Sequence, residues 1–254
     1  MNKPKETTAF VSEIFSSVQG EGVNIGRRQL FARFCDCHRD CVYCDTPVMR
    51  TDTAAVEREP GSGVFEQVPN PLSPSSLVDI LQSFNQAALA HDDIFITGGE
   101  PLLHVDFLAL ALPPLVKRVR LPIHLETSGD LPEAYRRIAH HIDHTLMDIK
   151  LPSVTGERET WNLHKRFMAA IQSAVTIKLV VSADTTAEDL ATAAGLIAAS
   201  KPNAHVVLQP MTAALRTDRV PSPRQILTWQ SEMALAIGAP VRVIPQCHKL
   251  MGLL

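Results

Sequence analysis

At 254 residues and 45% apolar content the chain can bury one substantial core, and nothing in its length demands a second domain. Lys plus Arg total 24 against 27 Asp plus Glu, a balance of −3 that excludes the basic footprint of a nucleic-acid binder and favours a small polar substrate. Residues 1–10 are polar without an apolar secretory core, and no later stretch reaches the roughly eighteen apolar residues that span a bilayer, so a cytoplasmic chain free of membrane is expected.

In chain order, residues 29–34 (QLFARF) form a short apolar run that ends at a cysteine-rich loop, the pattern of a strand delivering that loop from its C-terminal end. Residues 57–76 carry Pro60, Gly61, Gly63, Pro69, Pro71 and Pro74 and read as an irregular insertion, closed by a Ser76-x-x-Asp79 capping signal for a helix through Leu89. Apolar segments at 93–97, 122–126, 144–150, 175–181, 205–209 and 240–243 then alternate with helix-like stretches near 105–118, 131–140, 157–172, 186–200 and 223–237. Such alternation predicts parallel βαβ units, hence an α/β fold of mostly parallel strands, a (β/α) barrel in one domain over residues 1–254. In that fold the chemistry sits at the C-terminal strand ends. Four polar clusters fall there: Thr97-Gly98-Gly99-Glu100-Pro101, Glu126-Thr127-Ser128-Gly129, Asp148-Ile149-Lys150 and Gln209-Pro210-Met211. His140, His141 and His144 lie beside Asp143 in an amphipathic setting that suits a solvated segment, and they are given no role.

Cys35, Cys37, Cys41 and Cys44 fall within ten residues, and with Cys247 the count of five is odd, unsuited to a disulfide framework and suited to metal in a reducing compartment. Three of them spell C-x-x-x-C-x-x-C. A [4Fe–4S] cluster takes four thiolates, so a loop offering three leaves one iron open to an external chelate. Four thiols are also a structural zinc set, but zinc ribbons draw two ligand pairs from separate turns and a second C-x-x-C is missing. The C-x-C spacing by itself leaves either Cys35 or Cys37 as the first ligand. After the 93–97 strand, Gly98 and Gly99 allow the backbone to approach a ligand and Pro101 stiffens the exit, although an ordinary strand-to-helix turn uses the same residues.

The order C-x-x-x-C-x-x-C, then G-G-E-P, resembles the radical SAM enzymes, whose open iron takes the amino and carboxylate groups of S-adenosyl-L-methionine and whose reductive cleavage of it yields a 5'-deoxyadenosyl radical. Ser17-Val18-Gln19-Gly20-Glu21-Gly22, Gly26, Arg33, Cys44-Asp45-Thr46, T-G-G-E-P-L-L, E-T-S-G and Pro245-Gln246-x-His248-Lys249 follow one another over nearly the whole chain. In this order they resemble the 7-carboxy-7-deazaguanine synthase (QueE) family. The resemblance implies the partial (β/α) barrel of the radical SAM type, with a [4Fe–4S] cluster, S-adenosyl-L-methionine and Mg²⁺. It implies conversion of 6-carboxy-5,6,7,8-tetrahydropterin, or 6-carboxytetrahydropterin, into 7-carboxy-7-deazaguanine with loss of ammonia, on the way to the queuosine precursor. An electron donor such as flavodoxin or ferredoxin and a homodimer are implied as well.

By the same resemblance Cys37, Cys41 and Cys44 bind the cluster, because Arg33-Phe34-Cys35-Asp36-Cys37 reads like the R-[LF]-x-x-C opening of such loops, leaving Cys35 a small buried hydrophobe. Tyr43 and Asp45, the segment Gly98, Gly99 and Glu100, the segment Asp148, Ile149 and Lys150, and Gln209 fall at cofactor positions. Glu100 would accept hydrogen bonds from the methionine ammonium. Asp148 stands where many relatives carry the serine of an S-x-K segment, and residues 178–182 fall near the adenosine. Thr46 falls at the magnesium position, where a hydroxyl suits a hard cation. Val18, Gln19, Gly20 and Glu21, with Arg33, Thr97 and the terminal Leu254, fall at substrate positions. Gln19 suits the amide and amine edge of a pterin and Arg33 a carboxylate. No side chain is assigned as a catalytic acid or base. Glycyl-radical activating enzymes share the cysteine spacing but are separated by SVQGEG, C-D-T and the PQ-x-HK ending, and a non-catalytic zinc module is the remaining alternative.

Overall fold

A computed structural model describes residues 7–86, 90–201, 203–213 and 216–253. One sheet organises the chain. β1 (Val11–Val18) pairs antiparallel with β2 (Arg28–Phe34), and β2 opens a parallel run through β5 (Asp93–Gly98), β6 (Ile123–Thr127), β7 (His144–Asp148), β8 (Ala174–Val181), β9 (His205–Pro210) and β10 (Val241–Val243). On the other side of β1 lie β3 (Thr53–Glu57), parallel to it, and β4 (Phe65–Pro69), antiparallel to β3. The order β10-β9-β8-β7-β6-β5-β2-β1-β3-β4 leaves β10 and β4 unpaired with each other among the described residues, so the mostly parallel sheet is an open, partial (β/α) barrel.

The strand pleat sorts side chains to two faces. Leu30 and Ala32 of β2, Ile94 and Ile96 of β5, and Ile177 and Leu179 of β8 join the large outer core. That core is roofed by α1 (Pro74–Gln86), α2 (Val105–Arg118), α3 (Pro132–Ile138), α5 (Trp161–Ala170), α6 (Ala187–Ser200) and α7 (Pro223–Ile237). The alternate residues Phe31, Phe95 and Leu146 face inward with Phe15 as a small second cluster. Phe15 stacks on Phe31 at 4.9 Å and Phe31 meets Phe95 at 5.4 Å, contacts of roughly 0.5–1.5 kcal/mol each beyond area burial. This aromatic floor supports the polar residues nearer the strand tips.

The expected alternation holds from β5 to α7, with differences that have local causes. The segment read as irregular, residues 57–76, contains β4, which forms a hairpin with β3. Its turn is organised by the Glu57 carboxylate, which accepts N–H groups from Gly61 (2.9 Å), Gly63 (2.7 Å) and Ser16 (2.9 Å). Ser76 does not cap α1; Ser73 Oγ accepts the Ser76 N–H at 3.1 Å, placing the start at Pro74, where proline suits the first turn. Leu89, the expected end of that helix, lies outside the described residues. The stretch at 157–172 is interrupted because Gly156, at φ 76°, terminates the short α4 (Pro152–Thr155) in left-handed geometry and the chain restarts at Trp161. His144 is not solvated: as the first residue of β7 it points into the foot of the barrel, 8% exposed, beside Thr176 Oγ1 (3.0 Å) and Asn24 Nδ2 (3.3 Å).

Candidate active site

A single cavity at the C-terminal ends of the parallel strands collects most of the residues singled out in the sequence. Its floor comes from an unexpected direction. β1 runs antiparallel to β2, so Val18 pairs with Arg28 at the foot of the sheet, and the following loop folds back inside the barrel, with Gly22 packed on Leu146 and Thr176. Val18, Gln19, Gly20 and Glu21 thereby reach the cavity from below. Gln19 is 4% exposed, and both ends of its amide are used internally: Oε1 accepts the Glu21 N–H at 2.9 Å and Nε2 donates to Gln29 Oε1 at 2.8 Å. Gln19 therefore shapes the loop that presents Glu21.

Glu21 meets a lysine buried in β8. Lys178, its side chain 4% exposed, lies 2.6 Å from Glu21, 2.7 Å from Glu126 and 3.4 Å from Asp148. Burial opposes charge on both partners, but the three carboxylates outweigh it and hold Lys178 well above the ordinary lysine range. Burial likewise pushes the Glu21 carboxyl up, and the Lys178 charge and hydrogen bonds from Lys178 and Gln246 overcome it, bringing Glu21 down to about 2. Asp148 also binds Lys150 at 2.9 Å, and Lys150 donates to the Tyr43 hydroxyl at 3.2 Å while lying 5.4 Å from its ring centroid. Thr97 donates to Glu126 at 2.8 Å. Arg33, held by Glu13 at 2.5 Å and lying over the Phe15 ring, completes this side of the cavity.

The opposite wall is the cysteine loop after β2. Cys37, Cys41 and Cys44 line the cavity together with Asp45 and Thr46, whereas Cys35 is fully buried behind it. Asp36, at φ 65°, turns the chain between Cys35 and Cys37. The loop presses on the glycine turn after β5: a Cβ on Gly98 would lie 2.2 Å from the Phe34 carbonyl oxygen, and one on Gly99 2.0 Å from that of Asp36. Only hydrogen side chains fit there. Burial pushes the Cys37 thiol up and the Cys41 thiol to about 11, so both hold their protons until a metal displaces them.

Two expected ligands stand elsewhere. Glu100 is fully buried and does not line the cavity; its carboxylate accepts Leu102 N–H (3.0 Å), Thr127 Oγ1–H (2.9 Å) and Ser128 N–H (2.8 Å), and lies 2.7 Å from Ser128 Oγ, whose one proton it shares with Asp130. These bonds tie the glycine turn to the E-T-S-G turn and hold the carboxylate off the cavity lining. Ile149 is 1% exposed and belongs to the outer core, because it follows the inward-facing Asp148. Leu254 lies outside the described residues. Sequence reasoning overlooked Phe31, Phe95 and Arg39, which also line the cavity. Of residues 178–182, expected beside the cavity, Lys178 and Val180 line it, and the ion pairs of Lys178 had a readable signal: a lone cation in the buried run VTIKLVV must find a partner.

The residues fit a thiolate-held cluster with an organic ligand. Three cysteines face one cavity, the Arg39 N–H points at Cys37 Sγ (3.4 Å), and Asp148 Oδ1 and Gln209 Oε1 are buried on the same cavity without a hydrogen-bond partner among the described residues. Buried acceptors in that state call for a donor. No three His, Cys, Asp or Glu side chains among the described residues gather closely enough to hold a single metal ion, as a closed zinc site would require. A cubane instead places each thiolate on a different iron.

Residues 33–185 match the family model of the Radical SAM superfamily. The 7-carboxy-7-deazaguanine synthase of Geobacter sulfurreducens is 38% identical over 99% of this chain and 99% of its own length. The chain belongs to the 7-carboxy-7-deazaguanine synthase family. The family's protein from Thermococcus kodakarensis is 31% identical over 96% of this chain and 99% of its own. Among solved structures, QueE from Escherichia coli superposes with a TM-score of 0.59 at 19% identity, covering 95% of each chain, a likeness of fold. Radical SAM enzymes carry a [4Fe–4S] cluster and S-adenosyl-L-methionine, the two groups that the cysteine wall and the unpartnered acceptors suit. No helix among the described residues is long and apolar enough to cross a membrane.

Proposed function

We propose that this chain converts 6-carboxytetrahydropterin into 7-carboxy-7-deazaguanine with loss of ammonia, as a Mg²⁺-dependent radical SAM lyase of the cytoplasm. The observation that carries this reading is convergence: the SVQGEG loop, the cysteine loop, the glycine turn and the PQ-x-HK segment, far apart in sequence, line one cavity.

In this reading Cys37, Cys41 and Cys44 hold the cluster, and Gly98, Gly99, Tyr43, Asp45, Asp148, Lys150 and Gln209 surround S-adenosyl-L-methionine. When bound, these groups supply the one-electron chemistry that starts the ring contraction. The chain's own residues position and enclose. Glu21, ionised by Lys178, offers a carboxylate to the amine-bearing edge of a pterin; Thr97 lies beside it on the same wall, and Arg33 faces the substrate carboxylate. Thr46, half-buried at the cavity rim, offers its hydroxyl to Mg²⁺. Glu100 and Ile149 act from behind the wall. An electron donor of the flavodoxin or ferredoxin kind would approach the exposed Cys44 side, and two copies of the chain would pair as a homodimer.

The test is anaerobic reconstitution followed by incubation with reductant, S-adenosyl-L-methionine, Mg²⁺ and 6-carboxytetrahydropterin. A deazaguanine chromophore with far less than one equivalent of 5'-deoxyadenosine per product is expected. A brown, iron-loaded protein that leaves the pterin unchanged overturns the proposal.

A further inference from the structure

His38, Arg39 and Asp40 occupy the three positions between Cys37 and Cys41. In a solvated metal loop they would be spacers. Arg39 instead carries its side chain inward to 6% exposure, and each guanidinium nitrogen has a partner: Nε donates to Asp130 (2.8 Å), NH1 to Glu157 (2.8 Å) and NH2 to Thr160 (2.8 Å). Glu157 also takes the Asp40 N–H at 2.7 Å, and its Oε2 lies 3.9 Å from Cys41 Sγ. Ser128 Oγ lies 2.5 Å from Asp130 and 2.7 Å from Glu100, its one proton shared between the two carboxylates, and Asp130 also meets His38 at 2.9 Å. The loop's own backbone contributes little closure, through Asp36 N–H to the Val48 carbonyl (2.8 Å) and Cys44 N–H to that of Cys41 (3.1 Å).

We infer that Arg39 is a positioning residue for the thiol set, clamping the cysteine loop to Asp130 after β6 and to Glu157 before α5 so that Cys37 and Cys41 present sulfur to the cavity. The inference rests on the reading that Cys37, Cys41 and Cys44 hold the cluster. The physical argument is directional. Replacing a buried arginine and both of its carboxylates by apolar groups changes net stability little, whereas removing the arginine alone strands the carboxylates; what the planar fork adds is fixed geometry, which packing does not supply. Here the fork bridges three chain segments, and two of its partners bracket the loop's cysteines: Glu157 beside Cys41, and Asp130 through His38 beside Cys37. A lysine keeps one charge but cannot serve Asp130, Glu157 and Thr160 at once.

The experiment uses the reconstituted holoprotein without S-adenosyl-L-methionine: wild type, Arg39→Lys, Arg39→Met, Glu157→Met and the Arg39→Met/Glu157→Met double variant, each followed for iron release to a ferrous chelator. Partners behind a metal's ligands commonly change affinity by about tenfold or more, so Arg39→Met should release iron at least about tenfold faster, with Arg39→Lys between it and wild type. Because one clamp is removed in either case, the double variant should be no faster than Arg39→Met. Stranding Asp130 and Glu157 lowers the melting temperature of the Arg39→Met apoprotein, so release is compared at temperatures equally far below each variant's melting point, and there the reduced cluster's electron-resonance line should still broaden in Arg39→Met, a signature that a purely structural residue would not give. A wild type that takes up no iron overturns the reading of the cysteines and the clamp with it. An iron-loaded wild type and Arg39→Met with equal release rates and line shapes overturn the clamp alone.

Discussion

Lys178 is the residue whose removal the structure prices most directly in energy. Its Nζ, 4% exposed, neutralises Glu21 at 2.6 Å and Glu126 at 2.7 Å and lies 3.4 Å from Asp148. Lys178→Met keeps the aliphatic stem and removes the charge. Breaking a buried pair by deleting one partner costs roughly 3–5 kcal/mol. The Glu21 carboxyl gives an independent figure, since its drop from 4.5 to about 2 corresponds to about 3 kcal/mol of favourable interaction at neutral pH. The sign of the pH dependence separates this cause from lost packing. In wild type Glu21 titrates lower folded than unfolded, so its contribution is complete above pH 4.5 and is lost as the pH falls toward 2. In Lys178→Met, burial is the largest influence on Glu21, opposed only by the Gln246 hydrogen bond and the His248 charge, and it raises Glu21 above its unfolded value. That variant therefore gains stability as the pH falls from neutrality toward 4.5, while the contribution of Glu21 in wild type stays level over the same range. Urea unfolding of the reduced apoproteins at intervals between pH 4.5 and 8 reads both curves. Parallel curves, or a loss below about 1 kcal/mol at pH 7, would refute the argument, because an exposed pair is worth no more than that.

Glu100→Gln should lower the apoprotein melting temperature by roughly 6–12 °C, because its NH2 must face either Leu102 N–H or Ser128 N–H, donor to donor, which costs about 3 kcal/mol; a drop under about 2 °C in calorimetry counts against this shell. Gly99→Ala should take up much less iron on reconstitution, since its Cβ would lie 2.0 Å from the Asp36 carbonyl oxygen, whereas Gly195→Ala, with nothing within 4 Å, should keep its iron and gain about 1 kcal/mol of helix stability. Cys35→Ala should retain iron and Cys37→Ala should lose it, as Cys35 is sealed behind the wall that Cys37 lines; the reverse pattern in iron analysis overturns the ligand assignment.

The parts of the fold legible in the sequence are those where local pattern and tertiary burial agree. The run from β5 to α7 alternates buried parallel strands with amphipathic helices, and such strands read as continuous apolar segments whatever their neighbours. β1 and the β3–β4 hairpin were illegible for the opposite reason. VSEIFSSV mixes serines with apolar residues because one of its faces lines the polar barrel interior, and FEQVP is an edge strand with charged positions exposed to water. The cysteine spacing and the double glycine named their part of the site because those residue types have few other uses in that order. How Glu100 and Gln19 point was illegible because the direction of a carboxylate or an amide is decided by partners from other segments. Thr127 and Ser128 turn Glu100 away from the cavity, and Gln29 holds Gln19. Motif membership places a residue near a ligand; only the surrounding hydrogen bonds decide whether it touches one.

The same hydrogen bonds grade the stability of the cavity's walls. Glu100, Asp130 and Arg39, each with a buried side chain, form a polar spine behind the cysteine loop and the strand-end turns. The wall facing them is α8 (Cys247–Met251), which contributes no buried residue. It is tied by Gln246 to Glu21 (2.9 Å), by the Cys247 N–H to the Gly20 carbonyl (2.9 Å) and by the ion pair of Lys249 with Asp45. Exposed pairs of that kind are worth about 1 kcal/mol or less, and segments with few buried contacts open at the low end of the stability scale. The cavity therefore joins a rigid cofactor side to a lightly held closing segment. Glu21 belongs to both, since one carboxylate oxygen is fixed by Lys178 and the other accepts from Gln246.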